Sequence, residues 1–305
     1  MTGEPMVAAI VPAFRSEAWL AAAIDSVLAQ TRVPDEVIVV DDGSPDGVGR
    51  VCARYAGRIV YARRPNAGPG AARNFGIRLS SARYLAFLDA DDSWDPTKVE
   101  RQLAFMEARP ELVASCTGLR RVDEAGAGQD EADRPAGPGD AEHTLDLQTL
   151  LAGNPISTLT VMVRREALEE AGLFDEDPDL VAVEDYDLWL RLAAHGPIGR
   201  LDECLASYRV HGASLSGARR FAAGVEKVLA KAEARLRPDA GRAEAIRRHR
   251  IDLARNLAWE LGEHGTRREA IPASLRALSL SPFSWASWRL LAKALLAPSR
   301  ARAGA

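Results

Sequence analysis

Glu36-Val37-Ile38-Val39-Val40-Asp41-Asp42-Gly43-Ser44 and Tyr84-Leu85-Ala86-Phe87-Leu88-Asp89-Ala90-Asp91-Asp92 follow one pattern, a short apolar run stopped abruptly by carboxylates. Runs of this length without polar alternation read as strands buried on both faces. The same reading extends outward to Val7–Val11, which ends at Pro12, and to Ile59–Ala62. Helical patterns lie between them: Glu17–Ala29, with Leu20, Ile24, Val27 and Leu28 on one face, then Gly47–Tyr55, then Gly70–Leu79. Short apolar strands alternating with helices predict an α/β fold whose mostly parallel sheet is covered on both faces. Such sheets bind ligands beyond the carboxyl ends of their strands. The carboxylates Asp41, Asp42, Asp89, Asp91 and Asp92 fall at those ends, which points to a hydroxyl-rich ligand, a metal ion, or both.

The 305 residues correspond to about two domains. With 47% apolar and 27% charged residues the chain has enough material for a core and is not of the disordered class. Its longest uncharged stretch, 147–163, is 17 residues and contains Gln148, Asn154, Pro155 and four hydroxyl side chains, so it does not read as a membrane span. Met1–Met6 carries an acid and a proline where a signal peptide needs a basic segment, which predicts a cytosolic chain. The three cysteines are far apart, which argues against a disulfide framework or a Cys-rich zinc site. The net charge of −4 is uneven: residues 217–305 hold 18 basic and 8 acidic residues (+10), leaving −14 for residues 1–216. An acidic body argues against a nucleic-acid groove. The basic tail reads either as a solvated helical face or as a surface for anionic partners.

Residues 123–142, rich in Gly, Ala, Asp and Pro, read as a surface loop. Order is expected to return at Leu145–Leu151, followed by a strand at Thr158–Val163 and helices at Arg165–Ala171 and Asp185–Ala194. Beyond 217 the pattern is helical throughout, with stripes at Leu253, Leu257, Leu261 and at Trp288, Leu291, Leu295. Asn256–Pro282 resembles a single tetratricopeptide-like helical pair.

Taken in order, several segments resemble family 2 glycosyltransferases of the GT-A fold. They are Ile10-Val11-Pro12-Ala13-Phe14, Ser26–Thr31, Glu36–Ser44, Asn66–Asn74, Phe87–Asp92, Glu184–Arg191 and Tyr208-Arg209-Val210-His211, and together they span about 6–216. The resemblance implies a nucleotide-sugar-binding half (1–120), an acceptor-binding half (121–216) and a helical C-terminal extension (217–305). It implies inverting transfer of a sugar, from a UDP-sugar first of all, to a hydroxyl of a growing glycan or lipid-linked saccharide in cell-envelope polysaccharide synthesis. The cofactor implied is Mn²⁺ or Mg²⁺. Such an enzyme sits in the cytoplasm, with peripheral contact at the inner membrane through 217–305.

The residues divide by role. Donor contacts implied by the resemblance are Pro12, Asp42, Arg73, Asp89 and Asp91. An ionised Asp42 is acceptor-only and suits the imide N–H of uracil, although Asp is also a common turn residue. Asp91 is the implied metal ligand, with Asp89 beside it toward the ribose and Asp92 in support. Acids this dense near a diphosphate make sense only with a cation between them. Arg73 follows the Gly68-Pro69-Gly70 turn, where a helix N-terminus favours anions, and would face the nucleotide. It reads alternatively as packing over the sheet edge. Asp185 is the implied base that takes the acceptor proton, with Glu184 orienting neighbours; the plainer reading is a pair of acids complementing a helix dipole. Arg209 and His211 are implied at the leaving diphosphate. Trp94 reads as a stacking surface for sugar or as core. Two other classes stay open: a silent nucleotide-sugar-binding module and a sugar nucleotidyltransferase. The Gly-rich basic loop expected of the latter is absent after Val7–Val11.

Overall fold

The structure is a computed structural model that describes residues 6–132, 143–211 and 217–296, the side chains of 129–132 excepted. The chain divides into two compact units, one of 1–150 with 154–215 and one of 151–153 with 216–305.

The first unit is built on a sheet of ten strands. The strands are β1 (Val7–Ala13), β2 (Glu36–Asp41), β3 (Val60–Arg63), β4 (Tyr84–Phe87), β5 (Ser93–Trp94), β6 (Ala114–Val122), β7 (Gly128–Ala132), β8 (His143–Leu145), β9 (Met162–Arg164) and β10 (Ile198–Arg209). The helices are α1 (Leu20–Leu28), α2 (Val48–Ala53), α3 (Pro69–Leu79), α4 (Lys98–Glu107), α5 (Leu147–Ala152), α6 (Arg165–Ala171) and α7 (Glu184–Leu192). The strand order is β3-β2-β1-β4-β9-β6-β10-β5, with β7 on β6 and β8 on β10. β1 to β4 are mutually parallel; β9 runs antiparallel between β4 and β6; β6 and β10 are again parallel to each other. The carboxyl ends of β1, β2, β4, β6 and β10 therefore share one edge.

All seven β1 residues are buried, as a central strand requires. Pro12 is tolerated there for a definite reason. Its missing N–H would face β4, but β4 pairs with β1 only as far as Ile10↔Phe87. On the other side β1 pairs with β2 through Pro12↔Val40 to Ala13↔Asp41. The chain runs from β1 outward to β2 and β3 and then returns to β4 on the opposite side of β1. That reversal is a topological switch point, and it places the ends of β2 and β4 on either side of β1.

The predicted early elements are present to within a few residues. Two expectations change. Thr158–Thr160 is a 3₁₀ turn, with the strand delayed to Met162–Arg164, because local N–H and hydroxyl bonds to the Ser157 and Thr158 carbonyls compete with the ladder. The start of the predicted 123–142 loop contains β7, which folds back on β6; 133–142 lie outside the described residues. A division at 120/121 falls inside β6, and one sheet runs through both halves.

The second unit is helical: α8 (Ala218–Arg235), α9 (Ala240–His264), α10 (Arg267–Leu280) and α11 (Trp285–Leu296). The expected pair at 256–282 is the end of α9 with α10. Ala254, Ala258 and Ala277 form a small-residue core there, with Leu280 and Leu290 against it. Asp239 caps α9, and Thr266 with Glu269 makes a reciprocal capping box on α10. On α11 the buried face is Ser287, Leu291 and Ala294; Trp288 and Leu295, expected on the packed stripe, remain exposed.

Candidate active site

Three segments converge at the carboxyl edge of the first unit: the end of β4, the N-terminus of α7 and the end of β10. The link between the first two is Arg73, on α3. Its guanidinium is buried and donates to Asp89 Oδ1 at 2.6 Å and to Glu184 Oε1 at 2.6 Å. Gly70 makes room for this approach: a Cβ there would lie 3.0 Å from the Asp175 carbonyl and 3.3 Å from Glu184 Cγ. A cation taken out of water is costly unless paired, and here two carboxylates hold it charged. Arg73 thus joins the acids of β4 to those of α7, where an open face toward a nucleotide was expected.

The acids after β4 take up different positions. Asp89 and Asp91 keep about a third of their side-chain surface open, at 32% and 36%. Asp92 turns inward, and its Oδ1 accepts the Arg209 N–H at 2.8 Å. Burial, with Asp89 and Asp91 as like charges, holds the Asp92 carboxyl well above the ordinary range. Asp91 Oδ2 lies 2.9 Å from His211 Nε2. The His211 ring is stacked on Trp19, with centroids 4.4 Å apart and planes at 22°. Trp19 was not singled out in the sequence; it precedes α1 with no motif to mark it.

Asp91 and His211 could share a divalent cation with substrate oxygens. Among the described residues no three His, Cys, Asp or Glu side chains form a ready-made cage. Mg²⁺ and Mn²⁺ do not need one, because they bind through one or two protein groups plus phosphate oxygens and water. Two open carboxylates and an imidazole at a strand edge fit that requirement.

At three further positions the structure shows where the side chains are engaged. Asp42 does not present a free carboxylate to a base: it is buried and accepts N–H bonds from Gly68 at 2.8 Å and from Ala67 at 3.2 Å, with Arg64 Nε at 3.5 Å. It shapes the 66–68 loop instead. Gly43, at φ +75°, allows that loop to pass, since a Cβ would lie 2.8 Å from Asn66 N. Trp94 is buried, donates from Nε1 to the Leu159 carbonyl at 2.9 Å and carries Lys98 Nζ over its ring, the core position that was one of its two readings. Arg209 donates from Nε and Nη1 to the backbone carbonyls of Asp91, Asp123 and Glu124. Pro12 is buried in β1 beneath this edge.

At the N-terminus of α7, Glu184 and Asp185 behave oppositely. Glu184 is buried, and both its oxygens are taken, one by Arg73 and the other by the Ala182 N–H at 2.7 Å. Ala182 has φ +79°, a conformation that costs a non-glycine residue about 1–2 kcal/mol; the Glu184 bond holds it. Asp185 accepts the Thr158 hydroxyl on Oδ2 at 2.8 Å and the Tyr186 N–H on Oδ1 at 2.6 Å, and it retains some exposed surface. Burial, then the Glu184 charge, pushes its carboxyl up to about 7. The α7 macrodipole acts the other way but is worth only about 0.3–1 kcal/mol near a surface, so burial wins. A carboxylate near 7, in a residue that is not fully buried, is suited to accept a proton at neutral pH. Asp187, by contrast, is buried and pairs with Arg191 Nε at 2.9 Å.

This architecture is the GT-A fold, with acidic clusters at the ends of β4 and at α7. The chain belongs to glycosyl transferase family 2, whose profile matches residues 8–171. The putative teichuronic acid biosynthesis glycosyltransferase TuaG of Bacillus subtilis is 32% identical over 219 residues, 70% of this chain and 82% of that protein. An uncharacterized glycosyltransferase of Rickettsia felis is 34% identical over 209 residues, 68% of this chain but 33% of its own length. This chain thus spans about a third of that relative. S. aureus TarS 1–349, solved with UDP-GlcNAc, superposes with a TM-score of 0.67 at 16% identity, covering 91% of this chain and 82% of that one. The mannosyltransferase PcManGT of Pyrobaculum calidifontis, solved with GDP-Man and Mn²⁺, gives 0.63 at 19% identity, covering 96% and 80%. At these identities the superpositions establish the fold.

Proposed function

We propose that the chain is an inverting, metal-dependent glycosyltransferase that moves a sugar from a nucleotide-sugar donor to an acceptor hydroxyl during assembly of an envelope polysaccharide. The observation that carries this reading is Asp185: a part-buried carboxylate anchored by Thr158 and the Tyr186 N–H, raised to about 7 by burial, and joined through Glu184 and Arg73 to the acids of β4. Asp185 takes the proton of the acceptor hydroxyl as its oxygen bonds to the anomeric carbon. The bond to the diphosphate oxygen breaks on the opposite face, which inverts the configuration and releases a nucleoside diphosphate. Asp91 and His211 would hold the divalent cation, with Asp89 alongside. When bound, the cation neutralises charge on the leaving diphosphate. Arg209 and Asp92 keep the Asp91 loop in place through backbone bonds. The family assignment and the likeness to TuaG support a polysaccharide product.

The test is a panel of UDP-, GDP-, CDP- and dTDP-sugars incubated with the full chain and Mn²⁺. Release of free nucleoside diphosphate from one donor class is expected. Conversion of a nucleotide sugar to nucleoside triphosphate and sugar 1-phosphate on addition of pyrophosphate would instead make the protein a nucleotidyltransferase, and binding without any turnover a silent module.

Contact with an anionic membrane surface extends the same reading to a lipid-linked acceptor. Among the described residues no helix is long and apolar enough to cross a membrane. Yet Phe283, Trp285, Trp288 and Leu296 are 101%, 72%, 54% and 84% exposed, in a segment (217–305) carrying +10. Arg289 stacks over Trp285 at 5.2 Å. Exposed aromatics beside basic residues suit a headgroup layer. The full chain is expected to pellet with phosphatidylglycerol vesicles at low salt and to be released by high salt, with a Phe283→Ser/Trp285→Ser variant released more readily. No pelleting at low salt removes the membrane from the proposal.

A further inference from the structure

Thr158, Leu159 and Thr160 form a single 3₁₀ turn, and each makes a different anchoring bond. The Thr158 hydroxyl donates to Asp185 Oδ2 at 2.8 Å. The Leu159 carbonyl accepts Trp94 Nε1 at 2.9 Å. The Thr160 carbonyl accepts Gln102 Nε2 at 3.0 Å. Gln102 is itself fully buried, and its orientation is set from both ends: Lys98 Nζ donates to its carbonyl oxygen at 2.6 Å, while its amide nitrogen also reaches Ser115 Oγ at 3.0 Å. The Ser115 and Thr160 carbonyls are acceptor-only, so Gln102 turns its NH₂ toward the turn and its oxygen to the Lys98 amine, which burial pulls down to about 7. Trp94 in turn lies two residues after Asp92.

We infer that Thr158 is a positioning residue for Asp185, held in place by a buried brace of Trp94, Lys98 and Gln102 that ties the turn to the loop of β4. This rests on Asp185 being the base. Two hydrogen bonds, one on each carboxylate oxygen, fix the torsions of the Asp185 side chain, and a carboxylate with about four acceptor sites keeps one site on each oxygen for an incoming hydroxyl. Base catalysis requires that geometry, because proton transfer needs an oxygen within hydrogen-bond reach. Burial, then the Glu184 charge, disfavours the ionised form of Asp185; Thr158, Arg73 and the Tyr186 N–H favour it. The side chain that donates directly to its carboxylate is Thr158. The brace also accounts for the burial of Trp94 and of Lys98 in the core.

The test uses Thr158→Val, nearly the same in shape but without the donor, and Thr158→Ser, which restores it. The first readout needs no substrate: a ¹³C-carboxyl titration of Asp185 in the full chain. Loss of a hydrogen bond to a charged group is expected to move the Asp185 midpoint up by about one pH unit in Thr158→Val, and Thr158→Ser is expected to return it. The second readout is turnover of the donor found in the nucleotide-sugar panel. There kcat should fall about tenfold in Thr158→Val with KM nearly unchanged, and the rising limb of the pH profile should move alkaline. Thermal unfolding guards against a folding defect, and a destabilised Thr158→Val is replaced by Gln102→Leu, which loosens the turn from behind. An Asp185 titration and pH profile identical to wild type in Thr158→Val overturn the inference. If Asp185→Asn itself turns over normally, the base assignment has failed, and the substrate-free titration still judges Thr158 separately.

Discussion

Asp185→Asn is expected to lower sugar transfer by about 10²–10⁴-fold while leaving donor affinity within about twofold of wild type. That range corresponds to about 3–5 kcal/mol of lost transition-state stabilisation, the contribution of a positioned general base. The side chain keeps its shape, and the Thr158 hydroxyl can turn to accept from the new amide, so the fold should tolerate the change. Donor binding is expected to survive because Asp185 touches Thr158 and Tyr186 and none of the acids after β4. The pH dependence follows from the sign of the shift. Burial raises the Asp185 carboxyl to about 7, so below that pH it is mostly protonated and cannot accept the hydroxyl proton. The wild-type kcat/KM should rise with pH through about 7 and then level off. In Asp185→Asn the residual rate should lose that limb. Normal transfer, or loss of donor binding, would place the base elsewhere.

Asp91→Asn has the second large effect, on the donor. Like charges about 4 Å apart repel by about 4 kcal/mol per unit pair at an effective dielectric constant of 20. A diphosphate laid against Asp89 and Asp91 is therefore repelled unless a cation intervenes. Removing one anionic ligand weakens the hold on that cation, and the diphosphate loses its bridge. His211 loses its carboxylate partner at the same time but stays stacked on Trp19. Metal-dependent donor affinity should fall by at least about tenfold, or 1.4 kcal/mol.

How much of this was legible beforehand differs along the chain. β1, β2 and β4 could be read because each is a central strand buried on both faces, so its apolar run is unbroken, β1 stopping at a proline and β2 and β4 at a cluster of acids. β6 and β10 carry no such run: Ala114–Val122 contains two adjacent arginines, and Ile198–Arg209 mixes charged with apolar residues. Their pairing is set by each other, with register shifts, and is not a local property. Thr158–Val163 has the composition of a strand, yet its hydroxyls find partners nearer at hand, in Ser157 and Asp185, and turn the backbone. The positions of Asp89, Asp91, Asp185 and His211 could be anticipated from motif order. The partners of Asp42, Arg73 and Trp94 could not, since those depend on residues 16 to 111 positions away meeting inside the fold. In the sequence the hydroxyls of 147–163 spoke only against a membrane span, and nothing singled out Thr158.

The metal-bridged donor site is tested most directly by calorimetric titration of UDP, with GDP, CDP and dTDP in parallel, into the full chain in Mn²⁺ or in EDTA. At least one nucleoside diphosphate should bind wild type and Asp185→Asn about tenfold or more tightly in Mn²⁺ than in EDTA, with that difference abolished in Asp91→Asn. Equal affinity with and without Mn²⁺ for every nucleoside diphosphate, or a metal dependence untouched by Asp91→Asn, would contradict a site in which a cation joins Asp91 to the donor.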